Sequence, residues 1–86
     1  MNKLEKLRAK INNTDRQLLA LLSKRIKLVE KVGLHKKEKG LPIKDLKREH
    51  ELLDKLITQG QENHIPAGFI KKIWQTIFNE SYKRQR

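Results

Sequence analysis

The stretch Leu4–Lys36, LEKLRAKINNTDRQLLALLSKRIKLVEKVGLHK, decides how this chain folds. Counted from Leu4 in alternating steps of three and four, one seam runs Leu4, Leu7, Ile11, Thr14, Leu18, Leu21, Arg25, Leu28, Val32 and His35. That is the period of a helix lying against another helix. Beside it, a stripe spaced by sevens carries Arg8, Asp15, Leu22, Val29 and Lys36. Arg25 therefore sits in the apolar seam, and Arg8 and Lys36 sit at its shoulder. A buried cation without an anionic partner is costly, so something acidic should meet these three.

Outward from that stretch, the remaining elements follow from their punctuation. No proline interrupts the first helix, and Gly33 is its weak interior residue, marking either a close helix contact or nothing. Gly40 and Pro42 end it near Lys39. A second helix is expected from Asp45, or a turn earlier from Ile43, with Leu46, Glu49, Leu53 and Leu56 as its stripe and Leu52 and Ile57 alongside. Gly60 reads as its C-terminal cap, and 61–65 as a polar link. The third helix starts near Pro66, where proline suits a first helical position. Its stripe is Ile70, Ile73, Trp74, Ile77, Ser81 and Gln85, widened by Phe69 and Phe78, before a basic end from Tyr82 to Arg86. The expectation is an all-α chain, one domain over 1–86, with helices at about 4–39, 43–59 and 66–85.

At 86 residues the chain forms one domain at most. The first helix, at about 1.5 Å per residue, runs roughly 50 Å, longer than a small globule is wide. A seam that long, with so little chain to cover it, calls for a second copy. The formal charge of +11 suits nucleic acid, an anionic membrane surface or small anions, although most lysines fall on polar faces. There is no cysteine, which excludes disulfides and thiolate chemistry. No apolar run resembles a signal peptide or a membrane span, so a cytoplasmic protein without a membrane partner is expected. His35, His50 and His64 have no metal-ligand spacing, so no metal is expected. No glycine-rich phosphate loop, nucleophile signature or helix-turn-helix is found, and no sequence-specific nucleic-acid partner is expected.

Each helix carries polar residues inward: Arg25 and Lys36, then Arg48 and Glu49, then Ser81 and Gln85. One reading satisfies them internally, with Glu49 neutralising Arg25 or Arg48 and Ser81 bonding a backbone carbonyl. The charges do not balance, however. Arg8, Arg25, Lys36 and Arg48 face inward against Glu49, with Asp15 or Asp45 as further candidates. A surplus of inward cations points to a pocket for a multiply charged anion, and arginine forks suit carboxylates. Arg25 and Lys36 share a face about 16 Å apart along the axis, close enough for two long side chains to bracket a compact ligand. Arg8 lies about 25 Å from Arg25 on a rigid helix, out of reach of that ligand within one chain. An antiparallel second copy brings it there.

The landmarks Leu7-Arg8-x-x-Ile11-x-x-x-Asp15, Leu18-Leu19-x-Leu21-Leu22-x-x-Arg25, Val32-Gly33-x-x-Lys36, Pro42-Ile43-x-Asp45-x-x-Arg48-Glu49 and Ser81-x-x-x-Gln85 are jointly specific. Through them, from Leu7 to Gln85, the chain resembles the all-helical class of chorismate mutase. It is most similar to the mutase domain at the N-terminus of bifunctional mutase/prephenate dehydratase proteins. No dehydratase segment follows here, so a free mutase or a domain of a longer protein is expected. The resemblance implies an intertwined helical homodimer with two composite sites, each rearranging chorismate to prephenate without cofactor or covalent intermediate. It implies that Arg25, and Arg8 of the second copy, hold the two substrate carboxylates with help from Ser81. Lys36 and Gln85 are implied as donors to the ether oxygen, Glu49 with the backbone near Asp45 as holder of the ring hydroxyl, and Arg48 as part of the cationic surroundings. Two alternatives remain: an isochorismate pyruvate lyase on the same scaffold, and a basic helical module binding nucleic acid or a coiled-coil partner. The inward Arg48–Glu49 pair and Ser81 favour the mutase over the lyase. Arg25 and Glu49 inside the seams disfavour the binding module.

Overall fold

The computed structural model describes residues 2–86. Three helices follow one another, α1 at Lys3–Lys39, α2 at Leu46–Glu62 and α3 at Ala67–Gln85, and no strand occurs among the described residues. The all-α expectation holds. The Asn2 side chain starts α1 by accepting a hydrogen bond from the Glu5 N–H at 2.8 Å, and Glu5 adds negative charge to the first turn. The helix then runs unbroken for 37 residues, about 55 Å, and sets the longest dimension of the molecule at 57 Å. Gly40 ends it as expected, in the left-handed region at φ 68°, while the Leu41 N–H returns to the Lys36 carbonyl at 2.8 Å.

The second helix starts at the later of its two expected positions and runs past its expected end. It starts at Leu46 rather than Ile43, because the Asp45 carboxylate caps it by accepting the Arg48 N–H at 3.0 Å. Ile43 stays in the connection, and its carbonyl accepts a hydrogen bond from Lys36. At the other end Gly60 is not a cap. It lies inside α2, buried, and the helix continues to Glu62. The left-handed position falls to His64 at φ 60°, and the N–H groups of His64 and Ile65 return to the carbonyls of Gln61 and Gly60 at 3.1 and 2.8 Å. The glycine serves a helix contact instead, since a Cβ at Gly60 would stand 1.9 Å from Cδ1 of Ile70 on α3. Pro66 lies just outside α3, its carbonyl accepting the Ile70 N–H at 3.2 Å. The basic segment after Tyr82 continues that helix to Gln85.

The third helix is the shared element, packing against α1 on one side and α2 on the other. Ile70 and Phe78 are its buried apolar residues, and among the described residues they make up a thin core. Phe69, expected in the stripe, is exposed instead. On α1, contact with α3 falls on the shoulder together with Arg25 of the seam, and not on the seam's leucines. Arg25, Ile26, Val29, Gly33 and Lys36 are the partly or fully buried positions. Leu4, Leu7, Ile11, Leu18, Leu21, Leu28 and Val32 remain 46–62% exposed. Every described residue before Arg25 is exposed, so about the first three-fifths of α1 touches little of its own chain. Among the described residues, no helix is long and apolar enough to cross a membrane.

The Gly60 contact makes a signed prediction. Alanine is the better helix former by about 1 kcal/mol, so at an ordinary interior position Gly60→Ala should stabilise. Here its methyl overpacks the Ile70 side chain, at a cost of about 1–3 kcal/mol. The variant should therefore unfold at a lower urea midpoint with an unchanged slope. A raised midpoint would show that α2 and α3 do not cross closely at this point.

Candidate active site

Three element ends converge on one cavity of about 190 Å³. The second half of α1 supplies Arg25, Val29, Val32 and Lys36. The connection and the start of α2 supply Ile43, Asp45, Arg48, Glu49 and Leu52. The end of α3 supplies Phe78, Ser81, Tyr82 and Gln85. Of the eight residues singled out in the sequence, seven line this cavity, and Arg8 does not. Arg8 stands on the exposed part of α1, 17 positions and about 25 Å along the helix from Arg25.

Helical spacing puts these side chains on converging faces, and hydrogen bonds hold them there. Arg25 donates through Nη1 to Ser81 Oγ at 2.6 Å, and Ser81 Oγ donates to the Ile77 carbonyl at 2.8 Å. The hydroxyl thus accepts and donates at once, which pins the guanidinium from α3. Lys36 donates through Nζ to the Ile43 carbonyl and to Gln85 Oε1, each at 2.7 Å. Two of the three ammonium hydrogens are used, leaving one for a ligand. Gln85 in turn donates through Nε2 to the Ser81 carbonyl at 3.3 Å. The Lys36–Gln85 contact between α1 and α3 is possible because residue 33 is glycine: a Cβ there would lie 2.7 Å from the Gln85 Cα. Of the two readings of Gly33, the close helix contact is the one observed.

The electrostatics are unbalanced toward positive charge. Burial, and then the Arg48 guanidinium, push the Arg25 guanidinium below its ordinary pKa. The internal neutralisation considered from the sequence does not form. Glu49 instead accepts a short hydrogen bond from the Tyr82 hydroxyl, and the recorded ion pair among the described residues is Arg84–Glu80 on the surface. Arg25, Arg48 and Lys36 therefore face one small cavity without a carboxylate bound to any of them. An anion entering it gains charge-assisted hydrogen bonds whose protein side is already in position.

Sequence reasoning missed Tyr82. It lies beside Ser81 in a basic tail, and no apolar stripe includes it. A signal was available, since Tyr82 follows Phe78 by one helical turn. Burial first, then the hydrogen bond to Glu49, then the charges of Glu49 and Asp45, push the phenol up to about 12.

The fold and the site together define an all-helical chain with an arginine- and lysine-lined cavity beside the second half of its longest helix. The chorismate mutase type II family model matches residues 7–86. The chain is 40% identical over 85 residues to a bifunctional chorismate mutase/prephenate dehydratase of Escherichia coli, covering 99% of this chain and 22% of that protein. It is 34% identical over 85 residues to a T-protein of Haemophilus influenzae, with the same coverage of 99% and 22%. Among solved structures, a conserved hypothetical protein from Pyrococcus furiosus superposes with a TM-score of 0.80 at 35% identity, covering 100% of this chain and 99% of that one. This chain belongs to the chorismate mutase type II family. It spans about a fifth, 22%, of the length of the curated relatives named above.

The sole tyrosine of the chain permits a direct check of the site's electrostatics. The phenol is raised in the folded state, so stability linked to it is fully present below the ordinary value of 10.0 and is lost as pH rises toward about 12. Phenolate absorbance should therefore not appear near pH 10.0 but close to 12, and Glu49→Gln should move its onset back toward 10.0. Onset at 10.0 in the unaltered protein would place Tyr82 away from Glu49 and in solvent.

Proposed function

We propose that this chain rearranges chorismate to prephenate, in aromatic amino-acid biosynthesis, as a cytoplasmic homodimer with two composite sites. The observation that carries the reading is the cavity in which Arg25, Arg48 and Lys36 meet without a bound carboxylate. The reaction is a [3,3]-sigmatropic shift of a flexible dianion. One carbon–oxygen bond of the ether breaks as one carbon–carbon bond forms, with no proton transfer and no covalent intermediate. Two things are required of the protein: holding the dianion in a compact, diaxial shape, and stabilising negative charge that grows on the ether oxygen.

The residues supply both. Arg25, held by Ser81, takes one carboxylate, and Arg8 of a second copy takes the other. Lys36 and Gln85 already touch through the Lys36 ammonium. Their remaining N–H groups act as the paired donors to the ether oxygen. Glu49, with the backbone beside Asp45, accepts the ring hydroxyl, and Arg48 adds to the field around the dianion. The second copy is supported by the exposed seam of α1, a row of leucines and isoleucines uncovered by this chain, with Arg8 on the same part of the helix. Covering that seam with an antiparallel α1 carries Arg8 toward the other chain's cavity.

Loss of chorismate with prephenate as product, measured on purified protein, tests the reading, and salicylate with pyruvate as products would indicate the lyase instead. Lys36→Ala should lower kcat by roughly 10²–10³, the usual effect of removing a donor aimed at transition-state charge. Thermal unfolding should change far less than turnover. An intact kcat, or equal damage to both, would make Lys36 a structural residue.

Arg8→Ala and Arg25→Ala should each be nearly inactive as homodimers, and co-refolding them should restore activity. In a mixed dimer one site receives both arginines and the other receives neither. Random pairing makes about half the dimers mixed, so activity should approach roughly a quarter of wild type. If both arginines served one chain's site, every site would lack one of them. Activity would then stay at the level of the separate variants, with mixed dimers confirmed by mass spectrometry.

A further inference from the structure

Tyr82 is the one polar residue lining the cavity to which the mutase chemistry gives no role. Its hydroxyl donates to Oε2 of Glu49, joining the last turns of α3 to the first turn of α2. The Lys44 ammonium stands over its ring, 5.5 Å from the centroid. The phenol cannot swing away without giving up a charge-assisted bond and this cation–π contact. A carboxylate has two acceptor oxygens, and a free one presents either to a ligand. With the phenol bonded at Oε2, Oε1 is the freer oxygen for a bound ring.

We propose that Tyr82 is a positioning residue that fixes Glu49 in one orientation and so selects ring substrates carrying a hydroxyl donor opposite Oε1. The inference rests on the mutase reading, in which Glu49 accepts the ring hydroxyl. The donor is present across the working range, since the phenol is pushed up to about 12 and stays protonated. The hydroxyl is bound in the ground state and the transition state alike, so its orientation acts on substrate affinity more than on the chemical step.

The test compares wild type, Tyr82→Phe, Glu49→Gln and the double variant on chorismate and on an analogue lacking the ring hydroxyl. Tyr82→Phe keeps the ring under Lys44 and removes only the hydroxyl, and unchanged helical circular dichroism verifies the fold. KM for chorismate should rise roughly tenfold with kcat little changed, the scale of one hydrogen bond to a charged group. The analogue should show a far smaller change. In the Glu49→Gln background, Tyr82→Phe should add little further loss, because its effect passes through Glu49. Equal losses on both compounds, or additive losses in the double variant, would make Tyr82 a wall of the cavity and overturn the proposal while the mutase reading stands. A wild-type chain that converts neither compound would overturn the mutase reading and this proposal with it.

Discussion

The close crossing of α1 and α3 at Gly33 is the constraint on which the rest depends. Only a hydrogen fits where a Cβ would stand 2.7 Å from the Gln85 Cα and 3.1 Å from its carbonyl oxygen. That approach brings the last turn of α3 against the last third of α1, so Lys36 reaches Gln85 and Arg25 reaches Ser81. Both contacts join the same two helices, about three turns apart on α1, and both lie on one cavity. Backbone, rather than a flexible side-chain end, opposes any methyl at residue 33, so the fold has little freedom to absorb one.

A molecule that faces arginine toward arginine gives up stability at that place. The lowered pKa of Arg25 expresses it: burial first, then Arg48, work against its charge. The core available to offset this is small, with Ile70 and Phe78 as its buried apolar side chains. Such an arrangement is the expected signature of a site shaped for an anion, whose arrival supplies the missing charge and stabilises the folded state by mass action. On the proposed function, reaction and folding make opposite demands on Arg25 and Arg48.

Much of this was legible in the sequence, because helical spacing fixes which residues share a face. The positions of Arg25, Lys36, Glu49, Ser81 and Gln85 on inward stripes led directly to the cavity. Gly40 was legible as well, since a glycine followed closely by proline has one common use at a helix end. Gly60 was not, because the same residue type serves as a cap or as a close contact, and only Ile70 on another helix distinguishes them. Which face of α1 meets α3 was not read from the sequence: the chain buries Arg25 of the seam together with the shoulder and leaves the seam's leucines open, as expected of a seam too long for one chain to cover. Periodicity tells that a face is covered, and not by which chain. Tyr82 escaped for a related reason, as its partners Glu49 and Lys44 lie on elements remote in sequence.

The open seam and Arg8 belong to the same rigid part of α1, and this links assembly to chemistry. A helix of 37 residues does not bend to bring residue 8 back to residue 25. On the reading proposed above, the apolar seam finds cover only by pairing with another copy, and pairing moves Arg8 into the second cavity in the same step. Burial of the leucines and completion of the cationic site are then one event. Hydrophobic burial supplies a non-directional driving force, and the helix converts it into the placement of a single guanidinium. A surface lysine in place of Arg8 would keep the charge but lose the planar fork that grips a carboxylate by two parallel bonds. The element that looks most wasteful in a single chain, some 20 residues of helix in contact with little else, is on that reading the one that completes the site of the other chain.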